Sequence, residues 1–231
     1  MANFIPYKKF DGSANMAIDE ALLADSIKNT LEPTLRLYGW SRPTLTLGRN
    51  QSMQGINLDF CMQNNIDIVK RPTGGRAVLH QHELTYSFII PINLLKDGGS
   101  VLSSYKQISD ALIISFKKLN VELSYPEYKK ISVKDGYCMA ISTGSDLNYQ
   151  NKKLIGSAQF RKQDYILQHG SILIDIDTEQ LSGIFGSNNL DSDLITLKSI
   201  NSALDDINLL SDALKYGFEE KFSLKFNDYS K

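Results

Sequence analysis

Residues 66–91 read Ile66-Asp67-Ile68-Val69-Lys70-Arg71-Pro72-Thr73-Gly74-Gly75-Arg76-Ala77-Val78-Leu79-His80-Gln81-His82-Glu83-Leu84-Thr85-Tyr86-Ser87-Phe88-Ile89-Ile90-Pro91. Three apolar runs lie in this stretch: Ile66 to Lys70, Ala77 to His80 and Leu84 to Pro91. Each is too short for a helix and rich in β-branched or aromatic residues, the pattern of strands. The cluster Pro72-Thr73-Gly74-Gly75 breaks the chain between the first run and the second. A segment this dense in strands commits its part of the fold to a sheet.

Working upstream, residues 14–28 carry Ala14, Ala17, Ile18, Ala21, Leu22 and Ile27 at helical spacing, with Ser13 as the expected N-cap. A strand pair is expected at Leu35 to Trp40 and Thr44 to Leu47, joined by a turn at Ser41-Arg42-Pro43, and then a short helix over 57–64. Downstream, a long amphipathic helix is expected over 101–119. Strands follow near 137–142, 145–150, 153–161 and 165–174, with Asn151-Lys152 as a hairpin turn. Helices over 178–185 and 208–222 complete the pattern. Runs of strands with helices before and after predict an α/β (α+β) fold, a mixed sheet flanked by helices, over a strict βαβ alternation. With no repeat, low-complexity tract or linker, residues 1–231 are expected to form a single catalytic domain.

The balance of charges is −1, which gives no support for a nucleic-acid or anionic-membrane partner. Lys129-Lys130 and Lys152-Lys153 are short basic clusters of the kind solvated faces carry. The start, MANFIPYKKF, lacks the basic and apolar regions of a secretion signal, and the apolar runs are too short to span a membrane. Two cysteines, Cys61 and Cys138, make no disulfide framework. The expected setting is cytoplasmic, with both thiols reduced. Cys61, on an amphipathic helix after Leu58 and Phe60, reads as a buried hydrophobe.

Walker, dinucleotide-binding and Gly-x-Ser-x-Gly motifs are all missing. His80 and His82 share a strand face and His169 could be a third ligand, but hydrogen-bonded histidines are the commoner outcome, and no metal is expected. The pair Gly74-Gly75 between Arg71 and Arg76 has two readings. Adjacent glycines serve a tight turn, or they let backbone approach a ligand while the guanidiniums hold a carboxyl, phosphate or carbonyl.

The chain as a whole resembles the biotin/lipoate protein ligase and transferase family. Ser13 to Leu23 (SANMAIDEALL) resembles that family's opening helix, Leu35 to Gln51 its first strands, and Arg71 to His80 its substrate loop. Lys153-Leu154-Ile155-Gly156-Ser157-Ala158-Gln159 is similar to the strand bearing the family's essential lysine, and Gln168 to Leu173 to the strand after it. Cys138, in Gly136-Tyr137-Cys138-Met139, stands fifteen positions before Lys153, as the nucleophile does in the Gram-positive type of octanoyltransferase. The neighbourhood departs from those enzymes at Met139 and Ser142-Thr143, where they carry Phe and Pro-Ser.

What the resemblance implies is an acyltransferase that holds octanoyl on Cys138, with Lys153 as its partner. A neighbouring ammonium favours a thiolate, and it can also stabilise an oxyanion. Arg71, Gly74, Gly75, Arg76, His80, Gly156, Ser157, Ala158 and His169 are then expected to line the substrate site. The implied donor is octanoyl-acyl carrier protein, and the implied acceptor is a lipoyl-domain protein, either a glycine-cleavage H protein or a dehydrogenase E2. No cofactor is required. Three alternatives stay open: an ATP- and Mg-dependent lipoate–protein ligase, a lipoyl or octanoyl amidotransferase between lipoyl-domain proteins, and a non-catalytic acyl-binding protein.

Overall fold

The strands around the glycine pair divide between two sheets. The computed structural model describes residues 1–126, 146–186 and 191–228. The strands are β1 (Ala2–Phe10), β2 (Thr34–Trp40), β3 (Thr44–Leu47), β4 (Asp67–Lys70), β5 (Val78–His80), β6 (Glu83–Pro91), β7 (Leu147–Tyr149), β8 (Lys152–Lys162), β9 (Tyr165–Leu173) and β10 (Phe226–Asp228). The helices are α1 (Gly12–Asn29), α2 (Leu58–Gln63), α3 (Val101–Lys117), α4 (Thr178–Phe185), α5 (Leu197–Ile200) and α6 (Ile207–Phe222). A seven-stranded mixed sheet runs β10-β1-β2-β6-β9-β8-β7, and a three-stranded sheet runs β4-β3-β5. This is the helix-flanked mixed sheet that the sequence predicts.

One expectation fails here. β2 and β3 follow one another across Ser41 to Pro43 yet do not pair. β2 lies parallel to β1 and antiparallel to β6, while β3 pairs with β4 and β5 in the other sheet. All seven residues of β2 and all four of β3 are buried, so each strand is covered on both faces, which a simple exposed hairpin would not achieve.

One face of the large sheet packs on α3 and α6. Tyr86 and Phe88 of β6 meet Phe218 of α6 there, with Phe88 and Phe218 edge to face at 4.7 Å. The opposite face meets α1, where Leu23 packs with Ile89, Tyr165 and Leu167. The cap of α1 is Asp11 rather than Ser13. The helix begins two residues earlier than that cap would allow, and the Asp11 carboxylate accepts from Ala14 N at 2.8 Å, satisfying an otherwise orphaned donor.

The buried face of α1 is also rotated from the expected one. Ala17 and Ala21 are exposed, and the helix buries Asn15, Met16, Asp19, Leu23 and Ser26 instead. Polar groups can occupy such a face because they have partners, chiefly Arg36 of β2.

The hairpin between β7 and β8 turns at Gln150-Asn151, one residue before the expected place. Both residues have positive φ, 48° and 66°, as a I′-type turn requires. Just beyond it the register slips, from Asn148 opposite Lys153 to Leu147 opposite Ile155. β8 therefore holds one extra residue. Leu154 and Ile155 both enter the core with Leu147, and Lys153 returns to the strand phase of Gly156 and Ala158. The strand expected over 137–142 lies outside the described residues.

Candidate active site

A cavity of about 430 Å³, counting the space open to solvent, lies between the two sheets and α1. β8 contributes Gly156, Ser157 and Ala158 to its wall, and β9 contributes His169, Gly170 and Ser171. Tyr38 and Trp40 of β2, Thr46 of β3, His80 of β5 and Met16 of α1 close the remaining sides. Six expected site residues thus converge on one space: Arg71, His80, Gly156, Ser157, Ala158 and His169.

Gly74, Gly75 and Arg76 lie outside that wall, in the loop behind it. The Arg71 guanidinium donates to Gly74 O at 2.8 Å and Arg76 O at 2.7 Å, tying the loop together. Gly75 has φ +92°, where a branched side chain is strained. Its carbonyl rests on Gly48, where an added β-carbon would sit 1.9 Å from Gly75 O. The glycine pair therefore answers a conformational and packing need within the loop.

Arg71 also feeds two similar hydrogen-bonded chains. Its Nε donates to Thr73 Oγ1 (3.1 Å), and Thr73 Oγ1 lies 2.7 Å from His169 Nε2. One of its terminal nitrogens donates to Thr46 Oγ1 (3.1 Å), which lies 2.9 Å from His80 Nε2. A guanidinium has only donors, so each threonine oxygen accepts from Arg71 while it also lies within hydrogen-bonding distance of the histidine. The other ring nitrogen, Nδ1, faces Asp19 Oδ2 at 3.3 Å in His169 and Glu83 Oε1 at 3.4 Å in His80.

The acids are anchored in turn. Asp19 is fully buried and meets Arg36 at 2.6 Å and the Tyr38 hydroxyl at 3.0 Å. Burial alone would raise its carboxyl, but the hydrogen bond from His169 and the charge of Arg36 outweigh that and hold it below the ordinary value. Glu83 accepts from Trp40 Nε1 at 2.6 Å, and the Trp40 ring stacks on His80 at 4.2 Å. Burial pushes the His80 imidazole below its usual pKa, against the opposing pull of Glu83. On the far side of β8, Tyr86 meets Ser157 Oγ at 2.8 Å, and burial pushes its phenol up to about 12.

Lys153 is buried at 2% exposure, with its ammonium 2.9 Å from the equally buried Asp146 carboxylate. It stands on β8 three residues before Gly156, at the start of the strand that lines the cavity. Cys138 lies outside the described residues. Cys61 is buried as expected, and burial raises its thiol pKa, the opposite of what a nucleophile needs.

Sequence reasoning missed Met16, Asp19, Tyr38, Trp40, Thr46 and Glu83. Asn15, Asp19 and Ser26 do repeat at helical spacing, but a polar stripe reads first as a solvated face, and only the structure shows it buried against Arg36.

Comparison with known proteins gives a consistent picture. Residues 11–219 match the family model described as the lipoyl protein ligase A/B catalytic domain. The octanoyltransferase LipM of Carboxydothermus hydrogenoformans is 39% identical, over 96% of this chain and 87% of its own length. That of Clostridioides difficile is 35% identical, over 97% of this chain and 90% of its own. Among solved structures, lipoate-protein ligase A bound with ATP superposes with a TM-score of 0.83 at 22% identity, covering all of this chain and 90% of the other. Protein Ta0514 of T. acidophilum with bound lipoic acid gives 0.81 at 20%, covering all of this chain and 89% of the other. These two structures share the fold.

Proposed function

This chain belongs to the lipoyl protein ligase A/B catalytic domain family, and we propose that it moves octanoyl from an acyl carrier protein, through a thioester on Cys138, to the lysine of a lipoyl-domain protein. The observation that carries octanoyl transfer, and with it a place in lipoate biosynthesis, is the near-full-length similarity to the LipM octanoyltransferases. The cavity on β8 supplies a receptacle for the acyl chain. Burying about seven carbons at ~0.8 kcal/mol each contributes on the order of 5 kcal/mol, enough to hold the substrate without nucleotide chemistry. The enzyme works in the cytoplasm without ATP, and the acceptor is an H protein or an E2 lipoyl domain.

The Cys138 thiol gives up its proton and the thiolate attacks the thioester carbonyl; a new carbon–sulfur bond forms, the carrier's carbon–sulfur bond breaks, and the carrier leaves as a thiol that takes up the proton Cys138 released. The acceptor lysine, as a neutral amine, then attacks the acyl-enzyme. The amide bond forms, the bond to Cys138 breaks, and the proton shed by the amine returns the sulfur to a thiol. Lys153 supplies the positive charge that favours the thiolate and steadies the oxyanion in both steps. Asp146 fixes the orientation of that ammonium.

Intact-mass analysis after incubation with octanoyl-acyl carrier protein tests this course. The wild type and Cys61→Ser are expected to gain one octanoyl group that hydroxylamine removes, and Cys138→Ser to gain none. Lys153→Ala is expected to lose at least ~10²-fold in transfer rate. An adduct on Cys61, or transfer that strictly requires ATP, would overturn the scheme.

A further inference from the structure

The acyl cavity ends at a hydrogen-bonded wall, and an open groove lies directly beyond it. The strands show the order. Gly156 and Ala158 line the cavity, while Phe160 and Lys162, on the same face of β8, line the groove. β9 follows in register, with Ser171 opposite Gly156, His169 opposite Ala158 and Leu167 opposite Phe160. α1 also crosses from one space to the other, with Met16 in the cavity and Leu23 in the groove, and Arg71 touches both.

Between the two spaces runs the chain Arg71–Thr73–His169–Asp19, with every member buried. Phe160, Leu167 and Leu23 pack together behind it.

We propose that this wall sets the upper limit on acyl length: the Thr73–His169 bridge, backed by the Phe160 ring, stops the terminal methyl of the octanoyl chain. The direction of the chain rests on the octanoyl-transfer reading, which puts the reacting carbonyl at the Lys153 end of β8. Lys153 lies five residues from Ala158, but the bulge takes up one of them, so the strand advances about four residues, roughly 13 Å. An eight-carbon acyl chain reaching from the Lys153 ammonium to the wall fills that span. Longer chains have no room unless the wall opens into the groove, where further methylenes would find the Phe160–Leu167 row and then solvent. Phe160 is only partly buried, so removing its ring costs the core little while taking away the support behind the Thr73–His169 bridge.

Calorimetric binding of free octanoate and dodecanoate decides this without depending on transfer. The wild type is expected to bind dodecanoate at least tenfold more weakly than octanoate, although each methylene buried freely would favour binding about fourfold. Phe160→Ala, and more fully Thr73→Ala/Phe160→Ala, should raise the dodecanoate-to-octanoate affinity ratio by at least tenfold, with octanoate affinity itself changed less than threefold in Phe160→Ala. The ratio of transfer rates from the two acyl-carrier thioesters should move the same way. A wild type that binds both acids alike, or an unchanged ratio in folded Phe160→Ala, overturns the wall; should the double variant fail to fold, the single one decides. A wild type that binds octanoate and transfers none overturns octanoyl transfer alone, and the affinity ratio still decides the wall.

Discussion

His80 shows how one buried side chain couples the site to pH. Its ring is stacked on Trp40 and bonded through Nε2 to Thr46, in a place where burial lowers its proton affinity. An unfolded histidine titrates near ~6.5. Because the folded pKa lies below that value, the unfolded state binds more protons as pH falls through the window. The stability contribution is therefore intact above about pH 6.5 and is lost as pH drops toward the folded pKa. Urea midpoints measured at about pH 7.5 and about pH 5 should fall further for wild type than for His80→Gln, which has no such proton to take up. Parallel losses in the two proteins would show that His80 is not the group responsible.

At the scale of elements, the crossing of α3 and α6 is set by Gly217. In most helices Gly→Ala stabilises by up to about 1 kcal/mol. Here an added β-carbon would sit 2.4 Å from Ala111 O and 2.0 Å from Ser115 Oγ, so the helices must separate. Gly217→Ala is expected to destabilise by about 1–3 kcal/mol, the usual cost of overpacking, seen as a lower melting temperature; a rise would mean that propensity wins. The elements also show what was legible beforehand. α4 and the β6 strand are plain in the sequence because their apolar spacing is uninterrupted. β1 escaped because Pro6 and the charges at Lys8-Lys9 disguise it. The structure accommodates Pro6 by letting the register with β2 slip between Ile5 and Lys8, beyond the short pairing with β10 at residues 2–4. β10 is only three residues long and gave no periodicity to read. In the site, the loop and strand motifs could be read from residue types. Asp19, Trp40 and Glu83 could not, because their importance lies in partners forty or more residues away or on another sheet.

Across the whole molecule, the cavity is walled by both sheets, yet among the described residues the sheets share no strand ladder. Each can therefore lose backbone protection separately, as distinct cooperative units of opening. The three-stranded sheet has short strands, with only three residues in β5, whereas β6 and β9 pair along nine residues each. Amides of 44–47 and 78–80 should thus exchange with deuterium sooner than those of 83–91. An acyl ligand touching Thr46 and His80 on one side and Gly156 to Ala158 on the other binds only when both units are closed. Octanoate at about a hundred times its Kd should therefore slow exchange in the small sheet by up to ~10²-fold, the equivalent of ~2.7 kcal/mol, while leaving the α3–α6 face nearly unchanged. Uniform slowing everywhere would mean the sheets open as one. A ligand that bridges the two sheets thus works as a clasp, making one cooperative body of two that would otherwise come apart independently.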